Sequence, residues 1–227
     1  MTNNIKILPL DLKNVSHSIN GMRYIKDITL QLRTNVNTMI LGPNGAGKSL
    51  FLRICHGLIT PSQGEVKFLG PSGAQPKKYQ AMVFQKPVML QRSVIGNMEF
   101  ALKSQKIPKN RMVSIIGETL EATGLSRLAK VSARELSTGE QQRLAIGRAW
   151  SLKPEILFLD EPTANLDPAA THVVEKIISE IKKSGTTIVM ATHDLGQAKG
   201  LADNILFLYR GRVLENSSVE KFFSGPE

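Results

Sequence analysis

The chain is short of the features that would tie it to a special environment. It has a single cysteine, Cys55, so no internal disulfide can form. A reducing compartment fits, and Cys55 reads as a small apolar packing residue in a helix. The longest apolar runs, such as Ile205 to Leu208, are far too short to cross a bilayer. The opening stretch, MTNNIKILPLDLK, lacks the charged start and apolar centre of a signal peptide. Acidic residues are outnumbered 19 to 29 by Lys and Arg, which leaves a formal charge of +10. Such an excess suits nucleic acid, an anionic membrane surface, an acidic nucleotide, or solubility alone. The basic residues are scattered, with no long basic block and little aromatic interleaving, which argues against nucleic acid. Internal repeats and low-complexity tracts are missing too. What remains is an ordinary globular composition: 41% hydrophobic over 227 residues, enough for one larger domain with a subdomain and too apolar for a disordered chain.

The N-terminal part reads as strands. VSHSI and MRYIKDITLQL flank Asn20-Gly21, the strongest short hairpin signal. NVNTMIL reads as a buried strand entering a glycine loop, KSLFLRICHGL as a helix ending near Gly57, and GEVKFLG as a further strand. After YQAMVFQ the texture changes, and from about Lys86 to Trp150 the periodicity is mainly helical. From Ile156 strands and helices alternate: ILFLD, a helix over Pro168 to Lys183, TTIVMAT, a short helix, and NILFLY. The long helix is expected to place Val173, Val174, Ile177, Ile178 and Ile181 on one face. The whole predicts an α/β fold with a mostly parallel sheet, N-terminal antiparallel strands and a helical insertion over about 86–150, within one domain spanning 1–227.

The chemistry is carried by a few short motifs. GPNGAGKS, Gly42 to Ser49, follows an apolar strand and opens a helix, the context a phosphate-binding loop requires. Its glycines let backbone N–H groups approach phosphate, Lys48 brings charge to the β- and γ-phosphates, and Ser49 can ligate Mg²⁺. Asp160, ending the apolar strand ILFLD, places a carboxylate where ligands of α/β sheets bind, suited to Mg²⁺ directly or through water. Glu161 beside it can polarise an attacking water. Asp167 before Pro168 is a good helix N-cap, which leaves room for a second role. His193 follows TTIVMAT, where it can reach a γ-phosphate; His17, His56 and His172 have no such context. In ELSTGEQQR, residues 135–143, Ser137 and Glu140 fit a capping box. A glycine-containing turn at a helix N-terminus is also an anion site, so the chain carries a second phosphate-competent turn.

Together these motifs, in this order and over nearly the whole chain, resemble the ATP-binding subunit of an ABC transporter. The resemblance implies a P-loop ATPase core with ATP and Mg²⁺ as cofactors. It assigns Gly42, Pro43, Asn44, Gly45, Ala46, Gly47, Lys48, Ser49 and Leu50 to nucleotide binding, with a glutamine loop at Gln85, a signature turn at Ser137 and Gly139, and a D-loop ending in Asp167. Ser49, Gln85 and Asp160 fall to Mg²⁺, and Glu161, His193 and Lys48 to catalysis. It also explains the second turn: two subunits meet head to tail, and Ser137 and Gly139 of one serve the ATP held by the other. The turn departs from the family's L-S-G-G-Q at Thr138 and Glu140. Glu140 adds negative charge near an anion site unless it turns back into its own cap. The family's adenine-stacking aromatic falls at Ile19, with Tyr24 and His17 as substitutes.

The implied partners are a second copy of the chain, a transmembrane permease and, indirectly, a substrate-binding protein, at the cytoplasmic face of the cell membrane. The likeness is nearest to bacterial oxyanion importers of the tungstate and phosphate type, through MVFQKPVMLQRSVIGNMEFAL and ATHDLGQAKGLADNILFLYRGRVLE. Molybdate is a further candidate cargo. The expected function is ATP hydrolysis that powers such an importer. The alternatives are an ABC-type ATPase acting on nucleic acid or in translation, an exporter subunit, and a non-hydrolysing nucleotide-binding module. A DNA-repair ATPase would need a long heptad insertion, which is missing, and intact Lys48, Glu161 and His193 argue against a non-hydrolysing module.

Overall fold

The computed structural model describes residues 6–225; the first five residues of the opening stretch and the last two of the chain lie outside the described residues. In chain order the elements are strands β1 (Leu10–Ile19), β2 (Met22–Leu32) and β3 (Thr38–Leu41), helix α1 (Lys48–His56), strands β4 (Gln63–Phe68) and β5 (Gln80–Val83), and helices α2 (Val94–Ser104), α3 (Lys109–Ala122) and α4 (Thr138–Trp150). There follow β6 (Ile156–Asp160), α5 (Pro168–Lys183), β7 (Thr187–Ala191), α6 (Leu195–Leu201), β8 (Asn204–Tyr209), β9 (Arg212–Ser218) and α7 (Val219–Ser224).

Two sheets result. A three-stranded antiparallel sheet runs β2-β1-β4, and a six-stranded sheet runs β5-β6-β7-β3-β8-β9. All pairs of the larger sheet are parallel except the last, β8 with β9. The first hairpin forms as the sequence indicates: Asn20 and Gly21 take φ of 50° and 78°, the left-handed pair that a tight hairpin turn needs, and Ile19 faces Met22 across it.

The period-2 alternation of the buried strands divides the core. Ile156, Phe158, Val189, Ala191 and Leu206 pack with α1 (Phe51, Leu52, Ile54, Cys55) and the antiparallel sheet (Leu10, Leu12, Ile25, Ile28). Leu157, Leu159, Ile188, Met190 and Ile205 point the other way, onto α4, α5 and α6. Cys55 is buried, as expected, and burial pushes its thiol pKa up. A third cluster joins α2, α3 and α4 through Met98, Leu102, Met112, Ile116 and Leu144. Helix α4 therefore serves two cores, Leu144 in the helical one and Ala145 and Ile146 in the sheet one.

Four readings need correction or extension. Val174, Ile177, Ile178 and Ile181 are buried on α5, but Val173 is 40% exposed, because the stripe facing the sheet follows i, i+3, i+4, i+7 from Val174 and leaves its neighbour at the rim. The strand in NVNTMIL is only the four residues of β3; Asn37 just before it is a buried junction instead. The helical periodicity read from Lys86 begins in structure at Val94, and residues 84–93 form a loop. Strand β9 was not foreseen, since its exposed and half-buried residues carry little apolar alternation.

Asn37 holds three chain segments together. Its backbone N–H and side-chain amide donate to Asp203 Oδ2, both at 2.8 Å, and its Oδ1 accepts from Ile188 N–H at 2.8 Å. Lys182 Nζ donates to Asp203 Oδ1 at 2.8 Å. Burial pushes the Asp203 carboxyl up, but the Lys182 and Asn37 hydrogen bonds outweigh it and hold its pKa below the usual value. A carboxylate with a lowered folded pKa stabilises above its unfolded pKa, and that stability is lost as pH falls through the folded pKa. Asp203→Asn is therefore expected to cost about 1 kcal/mol at pH 7, a figure reduced for partial exposure. In urea denaturation the gap between the variant and the wild type should close as pH falls below about 4.

Candidate functional site

The C-terminal ends of β3, β6 and β7 lie together in register, so the loops that follow them meet at one edge of the sheet. Between β3 and α1 runs the loop 42–47. A Cβ on Gly42 would lie 2.1 Å from Leu208 O, so only glycine lets the chain pass β8 there. Gly47 caps α1 with φ 104° and no side-chain hydrogen bond, and the first turn of α1 holds no acid. Helices α2, α4, α5 and α6 are by contrast capped by Ser93, Ser137, Asp167 and Asp194. The amides and dipole of α1 are thus left to an anion from outside.

Lys48, at the start of α1, is 5% exposed. Its ammonium donates to Gly42 O at 2.9 Å and Pro43 O at 3.4 Å, and lies 3.2 Å from Glu161 Oε1. Glu161 follows β6 with φ 45°, a left-handed conformation rarely taken by a residue with a side chain; its N–H donates to Ala191 O at 3.0 Å. The other oxygen of the Glu161 carboxylate accepts from Gln85 Nε2 at 3.4 Å and lies 3.4 Å from His193 Nδ1. One carboxylate thus collects the phosphate-loop lysine, Gln85 and His193.

Ser49 Oγ donates to Asp160 Oδ1 at 2.7 Å. Burial raises the Asp160 pKa above the usual carboxylate range, opposed by the Ser49 hydrogen bond and the nearby Arg53. Among the described residues no group of three or more His, Cys, Asp or Glu side chains is placed to hold a metal. Ser49 and Asp160 offer one hydroxyl and one buried carboxylate, a sparse pair of oxygen donors. That fits Mg²⁺, which keeps waters and takes phosphate oxygens, better than a metal needing a full protein cage.

A cleft of about 950 Å³ opens over these groups. Asn44, Gly45, Ala46, Gly47, Lys48, Ser49 and Leu50 line it, with Gln85, Glu161 and His193. Ile19 and Tyr24, both partly exposed, line it as well. Gly42, Pro43 and Asp160 are not in the lining; they accept hydrogen bonds from Lys48 and Ser49. Leu166 and Thr171 border the cleft from the β6–α5 side; Asp167 itself is not in its lining and accepts from Ala170 N–H at 2.8 Å, capping α5.

Ser137 and Gly139 are not brought to this cleft. They open α4 beside the first turn of α5, where a Cβ on Gly139 would come 3.0 Å from Ala170 Cβ. The capping box is complete: Glu140 N–H donates to Ser137 Oγ at 3.4 Å, and Glu140 Oε2 accepts from Ser137 N–H at 2.9 Å and from its hydroxyl at 2.7 Å. Glu140 thus turns back into its own cap. The Ser137 hydrogen bonds hold its pKa below the usual value, so the charge on the turn is used within the turn. The network missed in sequence is that of Arg148 and Asn97, which ties α4 and α2 to the loop behind Gln85.

Comparison with known proteins identifies the family of the chain. Residues 25–164 match the family described as ABC transporter. The chain is 38% identical over 209 residues to the tungstate uptake system ATP-binding protein TupC of Peptoclostridium acidaminophilum, covering 92% of this chain and 98% of that protein. It is 38% identical over 237 residues to the phosphate import ATP-binding protein PstB of Mycoplasmoides gallisepticum, covering 97% of this chain and 73% of that one. Among solved structures, cbiO1 from Clostridium perfringens, part of the ABC transporter complex cbiONQ, superposes with a TM-score of 0.85 at 28% identity, over 96% of this chain and 92% of that one.

Proposed function

The chain belongs to the ABC transporter family as an ATP-binding subunit, and from that premise we propose that it hydrolyses ATP with Mg²⁺ to drive oxyanion import through a separate permease. The observation that carries the proposal is the convergence of Lys48, Gln85 and His193 on the Glu161 carboxylate at the mouth of an uncapped helix. The single unit is taken to span 1–227, with the helical subdomain at about 86–150.

The placement of the residues supports the following roles. The loop amides and Lys48 hold the β- and γ-phosphates. Ser49 and Asp160 would hold Mg²⁺, with Gln85 as a further candidate ligand, and the ion would offset negative charge on the phosphates. Glu161 accepts the proton of the attacking water or orients it. His193 and Gln85 fix the Glu161 carboxylate from the side away from Lys48, and His193 is placed to reach the γ-phosphate. Asp167 holds the start of α5 against the turn that carries Ser137 and Gly139. Those two residues, which lie outside the cleft of their own chain, are assigned to the ATP of a second copy.

The adenine end of the cleft offers Ile19 and Tyr24. With Ile19 at the stacking place, Tyr24→Ala is expected to weaken ATP binding little. A loss of about 1–3 kcal/mol, the usual worth of base–aromatic stacking, measured by titration calorimetry, would put the base on Tyr24 instead.

The permease is proposed to dock on a second groove, of about 740 Å³, lined by Leu58, Phe84, Pro87, Val88 and Phe100. Leu58, Val88 and Phe100 are large apolar side chains about half or more exposed, a pattern that suits an apolar helix from a membrane partner. The groove begins one residue before Gln85, so docking and the nucleotide cleft share a loop. The test is a photocrosslinker at Val88 in the assembled transporter. Adducts should form with the permease, and adducts confined to this chain would refute the docking site. With no helix among the described residues long and apolar enough to cross a membrane, the chain is proposed to sit at the cytoplasmic face through this contact. The tungstate and phosphate names of its relatives support an oxyanion cargo delivered by a substrate-binding protein.

A further inference from the structure

The loop between β5 and α2 carries Gln85 at one end and the groove residue Val88 in its middle. It has no helix or strand of its own, and side chains help a few backbone hydrogen bonds to set its shape. Asn97 on α2, fully buried, does much of this. Its amide donates to Ser93 O at 3.0 Å and to Leu90 O and Arg92 O at 3.3 Å, and its Oδ1 accepts from Leu90 N–H at 3.1 Å.

Arg148 completes the arrangement from α4. One guanidinium nitrogen donates to Asn97 Oδ1 at 3.2 Å and another to Val88 O at 3.1 Å. Burial pushes the Arg148 pKa down, and among the described residues its contacts are these neutral acceptors, with no carboxylate in salt-bridge range. A half-buried guanidinium held only by a carbonyl and an amide oxygen gives a poor return in stability. What it gives is geometry, since its planar fork fixes two directions at once. The same helix α4 begins at the Ser137 turn. From Ser137 to Arg148 is about 16 Å along a rigid helix at 1.5 Å per residue.

We infer that Arg148 is a positioning residue which locks the Gln85 loop to α4, so that the docking groove, the glutamine loop and the signature turn move as one body. This rests on the proposed roles of Gln85 and Ser137. A displacement of Val88 by a docked partner is passed through the guanidinium to α4 and along it to Ser137.

The experiment compares wild type, Arg148→Met and Arg148→Lys. Amide hydrogen exchange reads the clamp directly, without reference to ATP. The Leu90 N–H, which donates to Asn97 Oδ1, should exchange about tenfold faster or more in Arg148→Met, as expected for loss of a buried charged hydrogen bond, while amides of β6 and β7 keep their protection. In steady-state ATPase assays kcat should fall with the ATP KM nearly unchanged, and Arg148→Lys, which keeps charge without the fork, should lie between. Equal Leu90 exchange in all three proteins would overturn the inference, as would a fall in melting temperature with kcat unmoved. If Arg148→Met does not fold, Arg148→Lys alone decides, and wild-type exchange and kcat in it would refute the clamp. Absence of ATP hydrolysis by the wild type would instead count against the proposed function, with the exchange result still deciding the clamp.

Discussion

Glu161→Gln is expected to bind ATP and to lose turnover by about 10²–10⁴-fold, the usual worth of a positioned general base. The variant keeps the size of the side chain and one oxygen, which can take either the Lys48 side or the Gln85 and His193 side. It removes the charge that draws a proton from water. Lys48 and the α1 amides, which hold the phosphates, are not altered. Binding should therefore survive, and loss of the anion 3.2 Å from Lys48 leaves that ammonium freer for phosphate. Nucleotide affinity by fluorescence titration, measured with steady-state phosphate release on the same protein, checks both halves of the expectation.

Ser137→Arg is expected to abolish ATP-dependent dimerisation and hydrolysis together, although Ser137 does not line the cleft of its own chain. Ser137 N–H and hydroxyl both engage Glu140 at the start of α4, and a γ-phosphate held by a second copy would compete for the same donors. An arginine there fills the turn and breaks the cap. Mixing separates this from damage to the fold. Lys48→Ala and Ser137→Arg proteins should each be inactive alone, but a mixed dimer has one composite site carrying both defects and one carrying neither. Partial recovery on mixing is the expected result. A Ser137→Arg protein that still dimerises with ATP and hydrolyses it normally would reduce the turn to a capped helix.

Most of the site was legible because its chemistry is local. The phosphate loop, the strand ending in Asp160-Glu161 and the cap at Asp167 each lie within a few residues, and each element took the form its residues indicate. The hairpin at Asn20-Gly21 was legible for the same reason. What escaped depends on distant pairs. Nothing near Asn97 or Arg148 in sequence announces that they meet, and nothing near Glu155 announces that its carboxylate accepts the N–H groups of Lys6, Ile7 and Leu8. The stripe on α5 was read one residue too wide at Val173, since sequence gives the angle of a stripe but not the depth of the partner surface. Strand β9 pairs through its backbone with β8, and its side chains, mostly polar and exposed, do not mark it. The two departures in the signature turn were visible as residues, but only the structure shows Glu140 folded back on Ser137.

Single-turnover hydrolysis tests the central claim most directly, because it reads the chemical step without product release. Wild type and Glu161→Gln, each in excess over radiolabelled ATP with Mg²⁺, are quenched over time and the freed phosphate is counted. The expected result is one rapid turnover in the wild type and, in the variant, full ATP binding with phosphate appearing at least about 100-fold more slowly. Equal rates in the two proteins would contradict the assignment of Glu161, and with it the reading of the cleft as an ATP-hydrolysing site built around that carboxylate.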